Sequence, residues 1–216
     1  MVKDFDDSKL FLNNVYENIN YNDVPLQKFM ETIYRVINTS INFKNFLDIG
    51  CGRGYFLKFI AGKGFNDIQG IEPSNDLSSN KVFEKISSGS FEKNNFEDNS
   101  FDIVFTCHTL HHLEDENPIF AIKEMLRISK KYIVIIEVNN MNIPMFIRSL
   151  YYRKAEANAF RYNLAKVKKM FSLIPCSIIK CENLKCGYLS GNSFFHKLGA
   201  LFGTLPYNII IAKKNN

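Results

Sequence analysis

The sequence of 216 residues predicts one α/β domain built around an open sheet with helices on both faces. Short apolar segments with the length of strands alternate with segments of helical periodicity, which is typical of this fold class. Residues 132–138 are apolar along nearly their whole length, as in a parallel strand that is covered on both sides. Apolar residues make up 46% of the chain, which is enough for a continuous core and excludes a disordered chain.

The order of elements follows from the spacing of apolar residues. Residues 1–43 are predicted to be largely helical because apolar side chains recur every three or four positions and Pro25 suits a helix start. The period then shortens, and strands are predicted at 46–49, 67–71, 85–86, 101–106, 132–138, 177–179 and 207–212. Helices between them are predicted at 55–61, from 117 to about 130, and at 160–171.

Turn-forming and charged residues set the boundaries of these elements. Gly62 and Gly64 are stop signals for the helix at 55–61, and residues 97–100 form a turn before the strand at 101. Asn117-Pro118 caps and starts the next helix. That helix is predicted to end near Lys130-Lys131, because cations are favoured at a helix C-terminus.

Charge divides the chain into two unequal parts. From Arg148 onward there are 12 basic and 2 acidic residues, a balance of +10, whereas the preceding residues carry 15 basic and 20 acidic ones, a balance of −5. A run of like charge is commonly a solvated face. If the basic part of the chain is functional, it could attract an anionic acceptor, an acidic membrane surface or a lipid-linked substrate, or nucleic acid. Among these we favour a small anionic or lipid-linked acceptor.

Cysteine usage and the N-terminus bear on localisation. The five cysteines include no Cys-x-x-Cys pair, the acidic N-terminus lacks a signal-peptide layout, and apolar runs are too short to span a bilayer. We therefore expect a soluble cytoplasmic protein. Cys176, Cys181 and Cys186 lie five residues apart, a spacing that does not favour zinc, and no metal site is expected.

A glycine cluster lies between the first strand and the helix that follows it. Gly50, Gly52 and Gly54 are typical of a turn whose backbone approaches a nucleotide-like ligand, although a tight connection without a ligand is the alternative. A dinucleotide fingerprint requires glycine at position 55, where the chain has Tyr55. The Gly-Lys pair at 62–63 is followed by glycine rather than Ser or Thr, so a P-loop is disfavoured as well.

Residues 47–54, Leu-Asp-Ile-Gly-Cys-Gly-Arg-Gly, resemble the first motif of the class I S-adenosylmethionine-dependent methyltransferases, in the small-molecule or type 11 group. Four further segments resemble later motifs in the same order, at 70–74, 89–92, 96–104 and 110–113. The resemblance covers about residues 44–140. It implies a Rossmann-like, seven-stranded, mostly parallel sheet whose last strand is antiparallel, S-adenosyl-L-methionine as the cofactor, and methyl transfer to a small-molecule acceptor.

The resemblance also implies a division of the chain. We expect residues 1–216 to form a single methyltransferase domain with four parts. These are a helical N-terminal segment (1–43), a cofactor-binding core (44–140), a basic lid and substrate region (141–175), and closing strands (176–216).

Candidate cofactor ligands follow from spacing and from the resemblance. Glu72 lies 22 positions after Gly50, where a carboxylate that binds both ribose hydroxyls is expected. The resemblance implies that Asp48 holds the methionine ammonium, directly or through water, and that Phe91 packs on the adenine. Ser90 stands where an acid usually accepts a bond from the adenine amino group, so weaker cofactor binding is expected. The full predicted set is Asp48, Gly50, Cys51, Gly52, Glu72, Pro73, Ser90, Phe91 and Thr106.

Two side chains are candidates for chemistry on the acceptor. His111 is predicted to face the acceptor and take a proton, His112 to pack structurally, and Glu137 to contact the substrate. The alternative is that none is chemical, since in-line methyl transfer can depend on alignment alone.

Three other functions remain as alternatives. Residues 106–109 lack the Asn/Asp-Pro-Pro-aromatic signature of enzymes that methylate flipped bases, which disfavours a nucleic-acid methyltransferase without excluding it. A regulatory or partner protein that binds S-adenosylmethionine without transferring its methyl group is the second alternative. A nicotinamide-dependent oxidoreductase is the third and least favoured.

Overall fold

The computed structural model of the protein describes residues 20–113, 117–139, 164–184 and 207–215. Seven strands form one sheet in the spatial order β3-β2-β1-β4-β5-β7-β6. In chain order they are β1 Asn45–Ile49, β2 Asp67–Glu72, β3 Ile86–Ser88, β4 Phe101–Cys107, β5 Ser129–Val138, β6 Cys176–Asn183 and β7 Tyr207–Lys214. The strands from β3 to β5 pair in parallel, and β7 is antiparallel to both of its neighbours. This confirms the predicted Rossmann-like sheet and its antiparallel last strand.

Helices cover both faces of the sheet, as predicted. In chain order they are α1 Val24–Ser40, α2 Tyr55–Ala61, α3 Asn75–Ser79, α4 Asn117–Ile128 and α5 Leu164–Phe171, with a 3-10 turn at Leu110–His112 between β4 and α4. Apolar side chains of α1 and α2 pack with one face of the sheet. Those of α4 and α5 pack with the opposite face. No helix among the described residues is long and apolar enough to cross a membrane.

The predicted end of α4 was wrong. The helix ends at Ile128, and Lys130 and Lys131 belong to β5. Ser129 already pairs with Phe101 of β4 and is fully buried, so the chain turns directly from helix to strand. Two lysines at a strand's entry look the same in sequence as two lysines at a helix's end. Residues 1–19 of the N-terminal segment and 140–163 of the predicted lid lie outside the described residues.

Strand order determines where the candidate residues meet. The chain leaves β1 toward β2 and β3 on one side, whereas β4 and β5 lie on the other side. The carboxyl ends of these five parallel strands meet at one edge, and ligands of open α/β sheets bind at such a switch point. Asp48, Glu72 and Glu137 lie at or near the ends of β1, β2 and β5, respectively.

Gly70 of β2 permits the close packing of α2 beneath this edge. A Cβ atom at position 70 would lie 2.6 Å from both Cys51 Sγ and Leu57 Cδ1. Real Cβ atoms do not approach other heavy atoms so closely, so any larger residue would displace the packed side chains of Cys51 and Leu57.

Gly70→Ala should therefore destabilise the protein by about 1–3 kcal/mol, because overpacking displaces neighbouring side chains. The change is measured as the free energy of unfolding in urea. Ser87→Ala, at an exposed position on the adjacent strand β3, is the control and should stay within about 0.5 kcal/mol of the wild type. Equal stability of the two variants would contradict the packing argument.

Candidate active site

The loop after β1 depends on three glycines with left-handed backbone. Gly50, Gly52 and Gly54 have φ of +76°, +55° and +80°, values that residues with a Cβ atom adopt at a cost. At Gly50 a Cβ atom would also lie 2.5 Å from Oγ1 of Thr109, which follows β4. The glycines therefore both shape the loop and let the segment after β4 approach it.

Glu72 joins this loop to the end of β2. Its Oε2 accepts a hydrogen bond from the Gly52 N–H at 2.8 Å, and its Oε1 accepts one from the Ser74 N–H at 2.9 Å. The side chain is buried, and burial raises the pKa of Glu72, while the two backbone N–H groups oppose that rise. The carboxylate thus holds the glycine loop and the loop after β2 in one arrangement.

Asp48 lies on β1, next to the strand of Glu72, and few groups among the described residues offset the cost of burying its carboxyl group. Its side chain is 3% exposed, and Oδ1 has no hydrogen-bond partner among the residues that the structure describes. Burial, and then the nearby charge of Glu72, raise the pKa of Asp48 well above its usual value. A buried carboxylate oxygen without a donor fits a ligand that brings a cation or N–H groups, such as the ammonium of the implied cofactor.

Three of the other predicted cofactor residues sit beside these carboxylates. Cys51 Sγ packs against Gly70, and burial, with Asp48 and Glu72, raises the pKa of the thiol, which therefore stays protonated. Pro73 is exposed directly after Glu72. Thr106 is fully buried, and its hydroxyl donates to the Ile49 carbonyl at 2.9 Å, which ties β4 to β1.

The loop after β3 carries the remaining pair. The Gly89 N–H donates to the Glu72 backbone carbonyl at 3.3 Å, so this loop lies next to the end of β2. Ser90 is partly exposed, and its Oγ accepts hydrogen bonds from the backbone N–H groups of Glu92 and Lys93. Phe91 is 4% exposed and packs in the apolar cluster beneath the sheet edge.

His111 and Glu137 form a buried pair on the other side of the site. His111 Nδ1 lies 2.7 Å from Glu137 Oε2, and Glu137 Oε1 accepts from the Leu110 N–H at 2.8 Å. Burial raises the pKa of Glu137, but the charge and hydrogen bond of His111, with His108 and the Leu110 N–H, outweigh burial and lower it. Glu137 is therefore ionised and orients the imidazole.

The two adjacent histidines differ in exposure, although their ring centroids lie 4.1 Å apart. His111 is 5% exposed, whereas His112 is exposed to solvent. The 3-10 turn causes this difference, because consecutive residues of a tight helical turn point in different directions.

His108 is a neighbour of the site that sequence reasoning did not single out. It directly follows β4 with φ of +56°, a conformation that is uncommon for residues other than glycine and recurs at functional sites. Its ring lies 4.6 Å from that of Tyr207 and 6.4 Å from that of His111. Its position directly after the β4 strand was the available signal in the sequence.

Residues 47–135 match the family model described as "Methyltransferase domain". No curated protein matches the chain.

Solved structures share the fold over nearly the whole chain. A SAM dependent methyltransferase from Archaeoglobus fulgidus is 19% identical, with a TM-score of 0.65, 96% of this chain and 99% of that chain being covered. The plantazolicin methyltransferase BpumL in complex with SAH is 17% identical, with a TM-score of 0.69, and the match covers 98% of this chain and 91% of that chain. The [4+2]-cyclase SpnF is 15% identical, with a TM-score of 0.67, and the match covers 98% of this chain and 94% of that chain. At these identities the likeness establishes the fold, and one fold can host different reactions.

Asp48→Asn should stabilise the cofactor-free protein near neutral pH, by on the order of 1 kcal/mol, because the variant avoids the cost of burying a carboxyl group whose folded-state pKa is raised. The folded-state pKa of Asp48 is raised, so the wild type loses stability as the pH rises through that pKa, and the variant does not. The stability difference should therefore shrink on acidification.

Urea unfolding at about pH 8 and about pH 5 measures this difference. Asp67→Asn, at an exposed position in β2, is the matched control and should show no such pH-dependent gain. A destabilised Asp48→Asn protein at the higher pH would contradict the assigned cost of the charge.

Proposed function

We propose that this chain, of which residues 47–135 match a methyltransferase domain, is a class I S-adenosylmethionine-dependent methyltransferase that methylates a small-molecule acceptor at the carboxyl edge of its sheet. The observation that carries the proposal is the pairing of buried Asp48 and Glu72 at a loop of left-handed glycines. Together they offer an anionic, hydrogen-bond-accepting surface whose two ends are one strand apart.

Asp48 and Glu72 have separate tasks in this proposal. When bound, S-adenosylmethionine supplies a methyl group that its positive sulfur makes electrophilic. Asp48 Oδ1, which lacks a donor among the described residues, accepts from the ammonium of the amino-acid end. Each carboxylate oxygen of Glu72 accepts one backbone N–H and keeps a further lone pair, which suits the two adjacent ribose hydroxyls.

His111 is proposed as the base that activates the acceptor. Because Nδ1 faces ionised Glu137, the nitrogen that takes a proton is Nε2. The acceptor's O–H or N–H proton moves to Nε2 while its electron pair forms the bond to the methyl carbon and the carbon–sulfur bond breaks. Glu137 stabilises the resulting imidazolium and fixes the ring, so it acts as a positioning residue.

The acceptor class is inferred from charge. The balance of +10 from Arg148 onward favours an anionic or lipid-linked small molecule, which the basic part of the chain attracts by long-range electrostatics. Within the described residues, Lys168 and Lys169 of α5 contribute exposed charge to this part. The four described cysteines are free thiols, in keeping with a reducing cytoplasm.

Methyl-labelled S-adenosylmethionine tests the reaction directly. The wild type, incubated with a small-molecule extract and separately with a lipid extract, should transfer label to a product of low molecular weight. Glu72→Ala should lose cofactor binding by at least about tenfold, because it removes a charged hydrogen-bonding group. Cofactor binding without any transfer would favour the regulatory alternative, and label in nucleic acid would favour the nucleic-acid enzyme. Binding of a nicotinamide dinucleotide instead would contradict the proposal.

His111→Gln should lower kcat by about 10²–10⁴-fold with little change in the KM for S-adenosylmethionine, because general-base catalysis is lost and the cofactor contacts remain. Glu137→Gln should also shift the pH–rate profile, since an uncharged partner no longer supports the imidazolium. Lys123→Gln, at an exposed position of α4, is the control. Unchanged turnover in His111→Gln would remove His111 from the mechanism.

A further inference from the structure

The loop at residues 89–94 occupies the side of Glu72 opposite to Asp48. Strand β2 lies between β3 and β1, and the Gly89 N–H donates to the Glu72 carbonyl. In S-adenosylmethionine the ribose links the amino-acid end to the purine. If Asp48 holds the ammonium and Glu72 the ribose, as proposed above, the purine extends toward this loop. The inference below rests on that proposed function.

The hydroxyl of Ser90 has already used its capacity to accept hydrogen bonds. Its Oγ lies 3.2 Å from the backbone nitrogen of Glu92 and 3.1 Å from that of Lys93, and both N–H groups donate to it. A serine hydroxyl has two lone pairs and one proton. With both lone pairs engaged, what Ser90 offers a ligand is its O–H as a donor.

A network behind the loop fixes this arrangement. Asn94 Nδ2 donates to the Ser90 and Phe91 carbonyls at 3.3 and 3.1 Å and to Glu124 Oε1 at 3.1 Å. Glu124 is bound by Arg127 through two hydrogen bonds of 2.9 and 2.7 Å. The loop carbonyls and the carboxylate of α4 therefore already have donors, and the loop is anchored to a helix that lies against the sheet.

We propose that Ser90 determines purine specificity by donating a hydrogen bond to the base rather than accepting one from its 6-amino group. A carboxylate at this position would favour an amino group and repel a carbonyl oxygen. A hydroxyl donor can bond either to a ring nitrogen of adenine or to the 6-oxygen of a 6-oxopurine, both of which are acceptors. The site therefore discriminates little between adenine and 6-oxopurine forms of the cofactor.

Calorimetric titration with S-adenosylhomocysteine and with S-inosylhomocysteine, in which a carbonyl oxygen replaces the 6-amino group, tests this property. The wild type should bind the two within about fivefold, whereas Ser90→Asp should favour the adenine form by a further tenfold or more, the scale of a charged hydrogen bond. Aspartate also caps such turns, so this variant keeps the loop. Ser90→Ala should weaken both ligands by similar factors, and Ser90→Thr should restore both.

Each other outcome overturns the inference in a recognisable way. A wild-type preference above about fivefold for the adenine form would show that an acceptor recognises the amino group. Loss of such a preference in Glu92→Gln would identify exposed Glu92 as that acceptor. Binding of neither ligand would overturn the proposed function together with this inference, whereas tight but strongly selective binding would overturn this inference alone.

Discussion

Two carboxylates buried on adjacent strands constrain the rest of the site. Removing Asp48 and Glu72 from water is costly, and their like charges add to that cost. Glu72 is compensated by N–H groups from two different loops, and the Gly52 N–H that reaches it belongs to a backbone turn with positive φ. The glycine pattern, the loop conformation and the acid at the end of β2 therefore form one unit. Asp48, which lacks such compensation at Oδ1 within the described chain, is the part of the unit that is suited to a cationic ligand.

The buried carboxylate on the other side of the site, Glu137, is stabilised by hydrogen bonds from the protein itself. Glu137 is as deeply buried as Asp48, yet its pKa is lowered, because His111 and the Leu110 N–H satisfy both of its oxygens. A satisfied carboxylate orients its partner and does not itself need a ligand. In the proposed function, the side with Asp48 and Glu72, which has hydrogen-bond-accepting capacity to spare, holds the cofactor, and the paired His111 and Glu137 meet the methyl acceptor.

Local sequence signals predicted most of the fold and the cofactor-binding loop. The strands, the glycine loop and the spacing of Glu72 from Gly50 depend on neighbouring residues and on periodicity, and the structure has them where they were expected. The end of α4 was predicted wrongly from Lys130-Lys131, because two lysines can stand at the beginning of a strand as well as at the end of a helix. The burial of His111 and exposure of His112 depended on a 3-10 turn, and the engaged lone pairs of Ser90 on a turn closed by Glu92 and Lys93. Such side-chain orientations depend on tertiary geometry, and the spacing of residues along the sequence does not predict them.

The most direct test of the central constraint is the proton exchange that accompanies ligand binding. S-adenosylhomocysteine is titrated into the protein in two buffers of different ionisation enthalpy, at several values between about pH 5 and pH 7. A ligand ammonium beside Asp48 favours the ionised carboxylate and lowers its raised pKa, so ligand binding should release protons from the wild type but not from Asp48→Asn. Proton uptake, or no exchange at any pH in this range, would contradict the account.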